Sequence, residues 1–228
     1  MEKNQTKPVL SSPFQSIDTW IFDLDNTLYP ASSRLFDQVD RRITEYIMQA
    51  LDLKWDDAHK KQKLFFREYG TSLSGMMEVH NIPANEYLEY VHNIDLSPLA
   101  PSPALNQALE QLPGRKVIFT NGSTAHAKNV TEKLGITHHF DATFDIVDCE
   151  FTPKPDLIVY EKMLSTLSIN PKSAVMIEDM ARNLVPAAAL GITTVWVRTE
   201  EAWAVEGAGG DHIEHIVDDL TEWLNSIV

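Results

Sequence analysis

The sequence predicts an α/β chain built on a doubly wound parallel sheet, interrupted once by a helical insert. Three observations predict it. Four short apolar, β-rich runs stand at residues 19–22, 116–119, 173–177 and 193–197. The first three lack strict alternation, the pattern of strands buried on both faces. Helical patterns separate the later runs, and strands alternating with helices of this length read as βαβ units.

The elements follow in order. The first strand ends in Asp23, and Tyr29-Pro30 leads into about seventy residues without a strand signal. There Leu35, Val39, Ile43, Tyr46, Ile47 and Ala50 recur at helical spacing, and residues 55–69, 72–80 and 84–92 also have helical patterns. "SPLAPSP", residues 97–103, reads as a semi-rigid linker. The division predicted is a core of residues 1–30 and 101–228 and a helical domain of residues 31–100. Beyond the second strand, Ser123 caps a helix that Gly135 ends. Further helices fit residues 155–167 and 181–190, the last stopped by Gly191.

Composition narrows the function. The chain has 228 residues, 43% of them hydrophobic, and a formal net charge of −14. Core-forming content argues against global disorder. The negative balance argues against polynucleotide or anionic membrane as the main partner, since both reward basic patches. No run approaches a membrane span. The single cysteine, Cys149, fits a reducing compartment. The first residues show no secretion-signal pattern, so the expected location is cytoplasmic, and the Asn-x-Ser/Thr matches at Asn4, Asn121 and Asn129 are read as chance. No pattern specifies an oligomeric state.

The polar residues fall at strand ends. The first strand ends in Asp23-Leu24-Asp25, the second in Thr120-Asn121, the third in Glu178-Asp179. In an open α/β sheet, ligands bind outside the carboxyl ends of the strands. Two unit charges about 4 Å apart interact by roughly 4 kcal/mol at an effective dielectric near 20. Such an acid cluster therefore needs a cation or shared protons. All-oxygen ligands suit Mg²⁺, which combines carboxylates with substrate phosphate. A second cation is Lys154 in "TPKPD", where Pro155 disfavours the helical conformation at the lysine.

Taken as an ordered set, Asp23-Leu24-Asp25-Asn26-Thr27, Thr120-Asn121, Lys154-Pro155 and Glu178-Asp179 resemble the four motifs of the haloacid dehalogenase superfamily, over residues 19–197. The insert resembles that family's C1-type cap. "DLDNTLYP", "LPGRKVIFTNGSTAHA" and "FDIVD" resemble its pyrimidine 5′-nucleotidase branch. The resemblance implies a Mg²⁺-dependent phosphomonoesterase acting on nucleoside 5′-monophosphates. Asp23 would be nucleophile and Asp25 general acid and base. Thr120, Asn121 and Lys154 would hold the phosphoryl group. Asp23, the backbone carbonyl of Asp25, and Asp179 would ligate the metal, with Glu178 acting through a bound water. Asp25 argues against the dehalogenases, which lack this acid. The family often has Asp or Gly at the place of Glu178 and Ser at the place of Met180.

Other readings stay open. A phosphatase for phosphosugars or phosphoglycolate shares the chemistry, a mutase shares its first step, and a non-catalytic binding protein shares the fold. Tyr29 and Pro30 form part of the entrance or pack at the cap base. His126 resembles a histidine of the nucleotidase branch and equally fits a helix surface. His138-His139 and His212-x-x-His215 read as solvated surface, "EGAGGDH" (206–212) as a loop, Met76-Met77 as cap core, and Asn183 as a support for the fourth motif or a helix-surface residue.

Overall fold

The computed structural model describes residues 10–199, 201 and 203–228; Asn4 lies outside them. Six parallel strands run in the order β3-β2-β1-β4-β5-β6. They are β1 (Thr19–Phe22), β2 (Arg115–Phe119), β3 (Ala142–Phe144), β4 (Ala174–Glu178), β5 (Thr193–Val197) and β6 (His215–Val217). β1 is central. Its Phe22 is level with Ile118 of β2 on one side and with Ile177 of β4 on the other.

Alternate residues of β1 serve opposite faces of the sheet. Trp20 and Phe22 enter one buried cluster with Ile118, Val175 and Ile177, covered by α5 (Pro103–Gln111), α6 (Thr124–Leu134) and α9 (Leu220–Ile227). Ile21 enters the other with Val117, Phe119 and Met176, covered by α7 (Leu157–Leu167) and α8 (Leu184–Leu190). Both faces are thus dry, which is why the strands read as continuous apolar runs. The four strands expected are present, two of them with edges shifted by a residue. β3 and β6, three residues each, and helices α5 and α9 are additions to the sequence reading.

Between β1 and α5 stand α1 (Leu35–Leu51), α2 (Trp55–Tyr69), α3 (Ser72–His80) and α4 (Ala84–Val91). They share a separate cluster of Ile47, Phe65, Leu73, Met76 and Leu88, to which the core contributes Ile146. Met76 is fully buried there. Among the contacts that tie these helices to the core are three polar or charged ones. Ser74 Oγ donates to the Phe151 carbonyl at 3.3 Å, the Arg182 guanidinium lies 4.4 Å over the Phe66 ring, and His92 meets Ser123 at 3.0 Å.

α2 and α3 approach closely because Gly75 has no side chain. A Cβ there would stand 2.4 Å from Phe65 Cγ and 2.6 Å from Phe65 Cβ. The second of these cannot swing away. Gly75→Ala is therefore expected to destabilise the four-helix segment by about 1–3 kcal/mol, the usual cost of overpacking. Gly209→Ala, with nothing within 4 Å, is the control. Equal urea midpoints for the two variants would show that the helices are not in this contact.

Candidate active site

Asp23 is the first residue beyond β1, and its N–H still donates to the Ile177 carbonyl of β4 at 2.9 Å. It therefore continues the strand row, level with the end of β2 and with Glu178 at the end of β4. The chain then turns back. Thr27 and Leu28 N–H both donate to the Leu24 carbonyl, and Asn26 takes a left-handed conformation, φ 60°, which asparagine tolerates better than most residues. The turn carries Thr27 Oγ1 to Asp23 Oδ2 at 3.2 Å.

Lys154 fills the centre of this edge. Its Nζ donates to Asp23 Oδ1 at 2.8 Å, to Glu178 Oε2 at 2.7 Å and to the Phe119 carbonyl at 2.8 Å. Three donors thus meet three acceptors on three adjacent strands. The lysine is 1% exposed. Burial lowers its pKa, but Asp23 and Glu178 outweigh burial and hold it well above its ordinary value. Asn121 locks the loop that presents it, accepting from Lys154 N–H at 2.8 Å and donating to the Lys154 carbonyl at 3.2 Å.

One ammonium does not neutralise the acids around it. Asp23, Glu178 and Asp179 each offer a carboxylate oxygen within 4.8 Å of the others, and all three are buried. Burial, then the Glu178 charge, pushes Asp23 up to about 7 against the pull of Lys154. Burial, then Glu178 and Asp23, raises Asp179 well above the usual carboxylate range. Asp179 Oδ2 is buried and has no hydrogen-bond partner, although Trp196 Nε1 fixes the Asp179 carbonyl at 2.7 Å. An unpartnered buried oxygen beside two further carboxylates fits a hard divalent cation, whose ligands are oxygens.

Asp25 occupies a different environment. Its Oδ1 accepts from the Tyr29 hydroxyl at 2.6 Å and from His126 Nε2 at 2.8 Å. Burial pushes its pKa up, but His126 and then Tyr29 more than reverse that, leaving Asp25 below the ordinary carboxylate value. His126 is correspondingly raised: burial opposes its charge and Asp25 prevails. His92 stacks on His126 with centroids 4.4 Å apart and planes 9° apart. Burial first, then His126, drives His92 down to about 3, so it is neutral.

The helix-surface reading of His126 is corrected by this geometry. The residue is on α6, but it is 1% exposed and faces Asp25. Tyr29, 2% exposed, joins the site through its hydroxyl. Two signals in the sequence bear on these residues. Tyr29 stands four residues after Asp25, and His126 is in the first turn of the helix that follows Thr120-Asn121.

The remaining expected residues fall as follows. Thr120 is buried at the end of β2, with Oγ1 accepting from Gly122 N–H at 2.9 Å. Asp145, within "FDIVD", accepts from Thr124 N–H and Oγ1, each at 2.7 Å, and so anchors the start of α6. Asn183 is buried, not on a helix surface, and its carbonyl accepts from Tyr160. His139 bonds Asn106 and His212 bonds the Ala181 carbonyl, and among the described residues neither histidine pair belongs to a cluster of three or more metal-ligating side chains. Burial raises the Cys149 thiol to about 12, which makes it inert. A cleft of about 900 Å³ lies beside the turn, lined in part by Thr27, Tyr29, Arg34 and Arg198, but it does not reach the acid cluster. Among the described residues, no helix is long and apolar enough to cross a membrane.

The chain is similar to known proteins in sequence and in fold. A family model described as haloacid dehalogenase-like hydrolase matches residues 20–197. Phosphate metabolism protein 8 of Saccharomyces cerevisiae is 28% identical over 97% of this chain and 68% of its own length. Glyceraldehyde 3-phosphate phosphatase of Methanopyrus kandleri is 24% identical over 91% of this chain and 95% of its own. Among solved structures, a phosphatase from Thermococcus onnurineus covers 92% of this chain and 97% of its own, with a TM-score of 0.61 at 17% identity, a likeness of fold.

Removing Lys154 leaves Asp23 and Glu178 buried without their cation. Lys154→Met is expected to lower the unfolding free energy by about 3–5 kcal/mol in chelator at pH 7.5 or so. In the folded protein with Lys154 in place Asp23 is pushed up to about 7 from its ordinary 3.8, and the lysine holds that rise down. Without the lysine Asp23 takes up its proton at still higher pH, so as pH falls through about 7 the charge that the ammonium offsets is lost from both proteins and the deficit shrinks. Urea titrations at two pH values measure both effects. A variant as stable as wild type at neutral pH would contradict the need for the ammonium.

Proposed function

The chain belongs to the haloacid dehalogenase-like hydrolase family, and we propose that within it the protein is a Mg²⁺-dependent phosphomonoesterase acting on nucleoside 5′-monophosphates, pyrimidine ones foremost. The observation that carries the phosphatase reading is the separation of two carboxylates two residues apart. Asp23 is tied to Lys154; Asp25 is tied to His126 and Tyr29. Groups pushed into different environments take different roles.

Asp23 attacks phosphorus, the ester P–O bond breaks, and the leaving oxygen takes a proton from Asp25. In the second half Asp25, now a carboxylate, takes a proton from water as that water attacks the aspartyl-phosphate. Phosphate leaves and Asp23 is regenerated. The proton Asp25 gains there is the one it delivers in the next turnover. A dianionic phosphoryl group beside Asp25 disfavours its charge and so helps it keep that proton. Lys154 neutralises the Asp23 and phosphoryl oxygens together, and the Thr120 hydroxyl donates to a phosphoryl oxygen. Asn121 contributes by holding Lys154 in place, and amides at the start of α6 favour the anion. Asp23, Asp179 and the Asp25 carbonyl would hold Mg²⁺, with Glu178 through water; when bound, the ion offsets charge developing on the phosphoryl oxygens. Residues 31–100 act as a cap that excludes bulk water from the phosphoenzyme.

What supports the nucleotide reading is the likeness of "DLDNTLYP", "IFTNGSTAHA" and "FDIVD" to the pyrimidine 5′-nucleotidase branch, together with a cap small enough to close over a mononucleotide. The alternative is a phosphatase for phosphosugars or phosphoglycolate, which the similarity to the Methanopyrus protein supports.

Phosphate release across a substrate panel is the test. UMP and CMP are expected to exceed AMP, GMP, glucose 6-phosphate and phosphoglycolate in kcat/KM by about tenfold, roughly 1.4 kcal/mol in the transition state. A purine or phosphosugar leading by that margin would reject the nucleotide reading and leave the phosphatase chemistry standing.

A second experiment addresses the chemistry itself. Asp23→Asn should abolish nearly all turnover with the fold intact. EDTA should do the same to wild type, with Mg²⁺ restoring activity and the larger Ca²⁺ doing so poorly. Turnover by the Asn variant within about tenfold of wild type, or full activity in chelator, would remove Asp23 or the cation from the mechanism.

A further inference from the structure

We propose that His126 is a positioning residue for proton transfer by Asp25, and that His92, from the end of the helical insert, braces it. This rests on the phosphatase reading of Asp25.

The geometry is specific to one oxygen. Both hydrogen bonds to the Asp25 side chain, from Tyr29 at 2.6 Å and His126 at 2.8 Å, fall on Oδ1. Oδ2 accepts none from the described residues. Two donors on one oxygen fix the carboxylate torsion and leave the other oxygen to meet the leaving group and then the water. Asp25 is on a turn, where its torsion would otherwise be free. His126 comes from a rigid element, the first turn of α6, whose N-cap Ser123 accepts from His126 N–H at 3.2 Å.

A second contact carries this rigidity to the insert. His92 follows α4 directly. Its ring lies flat on His126 at 4.4 Å, and its Nδ1 pairs with the Ser123 hydroxyl at 3.0 Å. One serine thus caps α6 and holds His92. Gly122 makes room for this assembly. A Cβ there would meet Thr120 Oγ1 at 3.3 Å, His126 Cδ2 at 3.4 Å and His92 Nε2 at 3.6 Å. Both imidazoles therefore pack against the loop that carries Thr120. The end of the insert, the start of α6 and the proton-transfer group form one connected unit.

Leaving-group dependence separates positioning from mere packing. The p-nitrophenolate ion departs without a proton, whereas the alkoxide of an alkyl phosphate needs one. kcat/KM covers only steps up to that departure. His126→Ala is expected to lose about 100-fold in kcat/KM on the most active alkyl monophosphate, the low end of what general acid catalysis contributes, and less than about tenfold on p-nitrophenyl phosphate. His126→Gln, which restores a donor, is expected to recover at least about tenfold on the alkyl phosphate. His126→Leu, which refills the volume without a donor, is read as the alanine variant is, and replaces it if alanine does not fold. His92→Ala is expected to lose about tenfold on the alkyl phosphate and less than about threefold on the aryl one. Equal losses on both substrates, or a glutamine variant no better than leucine, would overturn the role of His126. A His92→Ala enzyme with wild-type ratios would overturn the brace alone. A wild-type protein that hydrolyses no phosphomonoester would overturn the parent reading, and this inference with it.

Discussion

The site depends on one buried ammonium. Lys154 Nζ lies within 2.8 Å of Asp23, Glu178 and the Phe119 carbonyl, and its three donors use the ends of three neighbouring strands. Desolvating an ion costs several kcal/mol even after relaxation, so neither the lysine nor the acids would be stable there alone. Their arrangement in turn constrains the loop before α7. Asn121 grips the Lys154 backbone at both its N–H and its carbonyl, which ties the Thr120-Asn121 turn to the lysine. A change in any of these elements would shift the charge balance of the whole edge.

Sheet topology explains why these elements meet. β1 lies between β2 and β4, and connections leaving its two neighbours run to opposite faces. At such a point the loops diverge and leave a crevice beyond the strand ends. The same topology makes the insert consequential. It enters the chain just after Tyr29-Pro30 and returns through His92, so both of its ends stand beside Asp25. Tyr29 bonds Asp25 directly and His92 reaches it through His126. Displacement of the helices would therefore be felt first at that carboxylate.

Much of this was legible in the sequence, for identifiable reasons. β1, β2, β4 and β5 are short continuous apolar runs because both faces of the sheet are covered. The four insert helices show because each buries one stripe against the others. β3 and β6 have three residues each, too short for a periodic pattern, and β6 is an edge strand with Ile216 half exposed. α5 was obscured by the proline-rich linker that flows into its first turn at Pro103. The acid cluster and Lys154 were legible because burying like charges at strand ends has no stabilising purpose of its own. His126 was not. A histidine in the first turn of an amphipathic helix carries no mark of the direction it faces, and that direction is set by Asp145 anchoring Thr124, a contact that depends on the unread strand β3.

The separation of Asp23 from Asp25 follows from strand geometry rather than from any difference in chemistry. Side chains two residues apart on an extended strand lie on one face and would compete for the same cation. Here the strand ends at Phe22 and the chain turns, with Asn26 in the left-handed conformation and Leu24 buried in the core between the two acids. The turn carries Asp25 away from Lys154 and towards α6, where an imidazole and a phenol receive it. Burial then acts on both carboxylates in the same sense, and only their partners differ. Glu178 helps to push Asp23 up, whereas His126 and Tyr29 pull Asp25 down. The turn that places the second acid is thus what sets one carboxylate beside a lysine and the other beside an imidazole and a phenol.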